Sequence, residues 1–158
     1  LTNSVHLNDP ATRHRLLRAD VVDCKLDAPN DEVLRLVNRP VPGVTVEKIV
    51  QGIEALRAEY KGKLALQCML MPSNARYADE LAKLIKRIQP DEVQLNTPRR
   101  PYPRSWYLGA RGNHGGVAPV PETALKTITL EEAQWIEEIV RAENPNIKIL
   151  SVYRDAPK

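Results

Sequence analysis

The chain has 158 residues, 27% of them charged and 42% hydrophobic, which is the composition of an ordinary folded domain and excludes a disordered or fibrous segment. Its net charge of +3, from 23 basic and 20 acidic residues, is no signature of a nucleic-acid module, which shows a clustered basic face as well. Cys24 and Cys68 stand too far apart for a disulfide framework or a zinc knuckle; both fall in strand-like apolar runs, so buried free thiols in a reducing, cytoplasmic setting are expected.

In chain order, residues 10–19 read as a helix, with Asn8 or Asp9 as N-cap and Pro10 in the first turn. Residues 21–26 (VVDCKL) read as a strand and 31–37 as a short helix. NRPVPG is a loop, and Thr45 then caps a helix to about Tyr60, with Val46, Ile49, Val50, Ile53 and Leu56 at helical spacing. A second strand spans 64–71 (LALQCMLM), broken by Pro72, Ser73 and Asn74. An amphipathic helix over 77–89 stops at Pro90, and 91–96 (DEVQLN) is a third strand. A long loop rich in Pro, Gly and Arg runs from Thr97 to about Thr127. Thr129 and Glu132 form a capping box for a helix to about Glu143, and 147–153 is the last strand.

No apolar run approaches the ~20 residues of a membrane span, and no signal peptide is visible. There is no Phe, so aliphatic side chains must fill the core. Strands alternating with helices predict an α/β fold with a parallel sheet. An open doubly wound sheet and part of a barrel both fit, although the chain is short for a complete barrel of about 250 residues. In either, ligands bind at the C-terminal ends of the strands. That rule singles out residues 25–28, 69–74 and 95–100, and Thr2-Asn3-Ser4 as the tail of a further strand. The chain opens without Met and is read as a fragment or processed product. A barrel fragment has an open sheet edge, so self-association, or covering of that edge by the long loop, is expected.

Three constellations bear on chemistry. Asp23, Lys25 and Asp27 alternate, which places them on one sheet face, either toward a ligand or as an ion-pair ladder. Arg99 and Arg100 stand between prolines after the third strand, suited to a substrate anion or simply solvated. Trp106, Arg111 and His114 lie in a Gly-containing stretch without P-loop or metal spacing, which reads as a loop or lid. His6 and His14 read as surface residues.

The ordered set TNS, ADVV, KLDAP, VNRPVPG, LQCMLMP and VQLNTPRRP resembles the later strands of radical S-adenosylmethionine (SAM) enzymes. The nearest likeness is to the branch that includes tRNA wyosine-base synthases. The resemblance covers residues 1–103, with 104–128 as a long loop and 129–158 as a helix-strand extension. It implies the later part of a partial TIM-like barrel. It also implies SAM and a [4Fe-4S] cluster held by a C-x₃-C-x₂-C loop, which together yield a 5′-deoxyadenosyl radical. Neither that triplet nor the Gly-Gly-Glu segment that binds the SAM amino group occurs here. Both are expected upstream of Leu1, so the chain alone is expected to be inactive.

By the same resemblance, Lys25 faces the SAM ribose or carboxylate, and Asp23 pairs with Lys25 or joins a cation site. Gln67 and Met69 line the SAM cleft, and Asn96 and Thr97 pass the adenine. Thr2, Asn3, Arg99 and Arg100 fall on the substrate side, and the substrate itself is unknown. Ser4 replaces the usual Gly. The wyosine-like look points toward RNA, but no basic groove supports a nucleic-acid partner. The alternative is a non-catalytic α/β module that binds an anionic ligand. The enzyme reading expects Lys25, Gln67, Asn96 and the two arginines in one cleft; the module reading expects Lys25 tied up in ion pairs.

Overall fold

A computed structural model of the chain describes residues 1–97 and 127–152, and between them the backbone of 102–103 and 122–123. Arg99, Arg100, Trp106, Arg111 and His114 lie outside the described residues.

Helix α1 (Pro10–Leu16) starts where the Asp9 carboxylate accepts from the N–H groups of Ala11 and Thr12. It ends three residues short of the sequence reading. The following backbone is drawn off toward β1 (Val21–Lys25): the Tyr60 hydroxyl donates to Ala19 O at 2.8 Å, and Lys63 N donates to Asp20 O at 3.0 Å. After α2 (Asp31–Val37), the Thr45 hydroxyl caps α3 (Val46–Glu59), and Val46 N donates to Asp31 Oδ1 at 2.7 Å, tying the two helix starts together.

Strand β2 (Lys63–Met69) leads into a single turn, α4 (Pro72–Ala75), where the sequence showed only a break. The Asn74 side chain builds that turn, accepting from Met71 N and donating to the carbonyls of Asp27 and Met69. Helix α5 (Ala78–Ile88) buries Leu81, Ala82, Ile85 and Ile88 and precedes β3 (Glu92–Asn96). Two-residue strands β4 (Tyr102–Pro103) and β5 (Glu122–Thr123) pair antiparallel. The predicted capping box then opens α6 (Leu130–Glu143), which returns to β6 (Lys148–Ser151).

The main sheet has the order β1-β2-β3-β6, all parallel. Thr2 adds a one-residue parallel bridge to Cys24 on the outer edge of β1. The order runs one way and never reverses. A doubly wound sheet reverses at its switch point. Right-handed crossovers on a one-way order put every covering helix on one face, as in a barrel wall.

Burial agrees with this. Val22, Cys24, Leu64, Leu66, Cys68, Val93, Leu95 and Ile149 turn into one core with α3, α5 and α6. Helix α5 packs between α3 and α6. Arg87 clamps it to Glu47 and Glu54 of α3, and Lys86 pairs with Glu143 of α6. The alternate positions, including Asp23, Lys25, Gln67, Glu92, Gln94 and Asn96, lie on the helix-free face. The fold is therefore α/β and matches the later part of a partial TIM-like barrel, with α6 and β6 continuing its sheet and core.

Candidate functional site

On the helix-free face, register sets the neighbours. Lys25 stands beside Gln67, Gln67 beside Gln94, and Met69 beside Asn96; Lys25, Met69 and Asn96 are the last residues of their strands. Gln94 ties the face together, donating to Asp23 Oδ1 at 3.4 Å and Glu92 Oε1 at 3.2 Å and accepting from Gln67 Nε2 at 3.5 Å.

At the N-terminal ends of the strands the same face is an ion cluster. Glu92, 3% exposed, accepts from Lys63 at 2.7 Å and Lys148 at 3.0 Å. Burial alone would raise its pKa, but the hydrogen bonds from Lys63, Lys148 and Gln94 outweigh that and hold it at about 2.

The alternation read for Asp23, Lys25 and Asp27 holds for the first two. Strand β1 ends at Lys25, and Asp27 turns inward beyond it. Its Oδ1 accepts from Met69 N at 3.0 Å; its Oδ2 accepts from Asn38 Nδ2 at 3.0 Å and pairs with Lys25 Nζ at 3.1 Å. One carboxylate thus joins the ends of β1 and β2 to the α2–α3 loop. The Lys25 side chain remains 30% exposed.

The opening turn is closed by its own side chains. Ser4 N donates to Thr2 Oγ1 at 3.1 Å, Val5 N donates to Asn3 Oδ1 at 3.2 Å, and the Ser4 hydroxyl donates to Lys25 O at 3.3 Å. Ser4 has φ 66°, the left-handed conformation that Gly adopts without strain, so the turn forms with Ser where the resemblance expects Gly.

A cleft of 740 Å³ opens beside this turn, at the end of β1. Asn3, His6, Lys25, Asp27 and Asn38 give it polar lining, and α2, α3 and their connecting loop give it aliphatic walls. A smaller hollow of 280 Å³ lies at Gln94, Asn96 and Ser151. Lys25, Gln67 and Asn96 therefore share a face, while Lys25 and Asn96 line separate hollows. Thr97 follows β3, half-buried. Sequence reasoning missed Asn38 and His6 as cleft residues. His6 is exposed, as read, yet it lines the rim. Nothing in the loop sequence NRPVPG marks Asn38, because a tertiary contact recruits it.

Both thiols point into the helix-facing core. Burial pushes Cys24 up to about 11 and raises Cys68 further, the reverse of what a metal-bound thiolate needs. Among the described residues no three of His, Cys, Asp and Glu stand close enough to share a metal ion. The described residues do not fit a [4Fe-4S] cluster.

This geometry defines a class: a parallel, one-way βα sheet with a polar helix-free face at the strand ends. A solved structure similar to it is a radical SAM methyltransferase from Sphaerobacter thermophilus, with a TM-score of 0.59 at 20% identity, matching 89% of this chain and 37% of that one. The chain thus has a radical SAM-like fold. No family model matches. Among curated proteins, the chain is 35% identical over 142 residues to UPF0026 protein slr1464 of Synechocystis sp.. It is 33% identical over 105 residues to UPF0026 protein MJ1312 of Methanocaldococcus jannaschii. Those matches take in 89% and 64% of this chain but span only 53% and 32% of the relatives' lengths. Neither relative is named as a wyosine-base synthase. Among the described residues no helix is long and apolar enough to cross a membrane.

Proposed function

We propose that this chain is the later-strand part of a radical SAM enzyme, and that its helix-free sheet face holds SAM. The observation that carries the reading is the polar face of a one-way parallel sheet, which Lys25, Gln67 and Asn96 share, with Lys25 and Asn96 in separate hollows. Lys25 pairs with Asp27 and, 30% exposed, still has N–H donors for an acceptor such as the SAM carboxylate or ribose. Asp27, anchored by Met69 N and Asn38, fixes where that ammonium stands. Gln67, held by Gln94, offers its amide to the ribose, and Asn96 and Thr97 offer polar groups to the adenine edge. With a reduced [4Fe-4S] cluster, bound SAM supplies a 5′-deoxyadenosyl radical. The cluster cysteines would belong to another segment of the whole protein. The relatives' names carry no wyosine-forming activity, and the reading covers the SAM step alone.

One observation favours the second reading, a non-catalytic module for an anionic ligand: Lys25 is ion-paired, as that reading expects. Lys25→Ala in the intact, anaerobically purified gene product separates the two. Loss of one charge-assisted contact should weaken SAM binding by about tenfold, with little change in melting temperature. Unfolding, with SAM affinity kept in the folded fraction, would make Lys25 structural.

A further inference from the structure

The 740 Å³ cleft at the end of β1 is mid-range for a small-molecule site, and its walls have one character. Val5, Leu34, Pro40, Val41, Val44 and Ile49 are all aliphatic. Among the described residues, His6 is the one aromatic ring that lines it, and no arginine does. Nucleobases are held by stacking on aromatic or guanidinium planes, and the described walls of this cleft are aliphatic instead.

Its polar groups are unequally spent. Both Asp27 oxygens are taken by Met69 N, Asn38 and Lys25, so little acceptor capacity is left for a ligand cation. The Asn3 Oδ1 is spent on Val5 N, whereas its NH₂ has no partner among the described residues. Beside Asn38 and His6, the Asn3 NH₂ lines this end as a hydrogen-bond donor. It suits a ligand head that presents an oxygen acceptor.

Two further features mark the rim of the cleft. Val41, at its mouth, is 70% exposed. Ser4 and Arg39, each adjacent in sequence to lining residues, take positive φ values of 66° and 46°. Strained non-glycine backbone clusters where a binding surface must be held in shape.

We infer that this cleft seats the substrate, and that the substrate is a small molecule with an aliphatic body and a carboxylate-like head, not a nucleobase. The inference rests on the SAM reading for the word substrate; the cleft's preference for an aliphatic acid stands on its own residues. The body lies along Leu34, Val44 and Ile49, and the head meets Asn3.

The probes are octanoate and guanosine, titrated into the intact gene product and followed by saturation-transfer NMR, with SAM titrated separately. Octanoate should bind. Val41→Asp, which sets a like charge at the mouth on an exposed side chain, should weaken it at least tenfold, and Val44→Trp, which fills the cleft, should do the same. Both variants should keep the parent's melting temperature and SAM affinity. Octanoate binding that neither variant moves, or guanosine binding more tightly than octanoate, would overturn the inference. Octanoate binding kept in a protein that does not bind SAM would overturn the SAM reading and leave an aliphatic-acid site.

Discussion

Asp27 and Lys25 form one ion pair with unequal stakes. The Asp27 side chain is 3% exposed and accepts two hydrogen bonds besides the ion pair, while the Lys25 side chain is 30% exposed. Asp27→Ala strands the Met69 N–H, the Asn38 amide and the lysine charge, and should cost about 3 kcal/mol. Lys25→Ala should cost less than about 1 kcal/mol. Urea unfolding of the two variants checks the ratio. Glu92 gives a pH signature. Its folded pKa of about 2 lies below the ordinary 4.5, so its contribution is present above pH 4.5 and is lost as pH falls through 2. Because Lys63 and Lys148 are largely solvated, Glu92→Gln should cost on the order of 1–2 kcal/mol near neutrality. Its acid-unfolding curve between pH 4.5 and 2 should be flatter than the parent's; an unchanged curve would mean that Glu92 is not linked to acid stability. Of the residues at these two positions, Lys25 was legible in the sequence because strand alternation points it. The inward turn of Asp27 was not, since it follows from β1 ending early and from donors on β2 and the α2–α3 loop.

At the scale of elements, the opening segment holds the turn and the rim of the cleft in place by crossing α3 at Gly52. A Cβ there would lie 2.8 Å from Leu7 Cβ and 3.0 Å from Asn8 N. Alanine for glycine within a helix ordinarily stabilises by about 1 kcal/mol. Here the clash with backbone should reverse the sign, so that Gly52→Ala destabilises by about 1–2 kcal/mol. It should also shift the resonances of Asn3 and His6, because Leu7 anchors the segment that carries them. A stabilised variant would mean that the crossing is loose. Helix starts were legible wherever a short side chain caps them, at Asp9, Thr45 and Thr129. The end of α1 and the turn α4 were not, because tertiary hydrogen bonds from Tyr60, Lys63 and Asn74 determine them.

Over the whole molecule, periodicity foretold a parallel α/β sheet but left open sheet and barrel unresolved. Strand order separates them, and strand order is a tertiary fact. Among the described residues, β6 has an unpaired outer edge and β1 meets only Thr2 on its own. Exposed Val21 and Leu150 stand on the helix-free face. The 158-residue chain by itself should therefore associate in sedimentation velocity as its concentration rises; a monomer at every concentration would mean that these edges are covered. The arginine pair at 99 and 100 lies outside the described residues, so the substrate-anion role read for it stands as a proposal.

The central claim is that this sheet is the SAM-holding wall of a radical enzyme. Iron and sulfide should be measured in the intact gene product, purified anaerobically, with and without SAM. The account predicts about four irons per chain and a cluster spectrum that SAM alters. A protein without iron that leaves SAM unbound would mean that only the scaffold is shared.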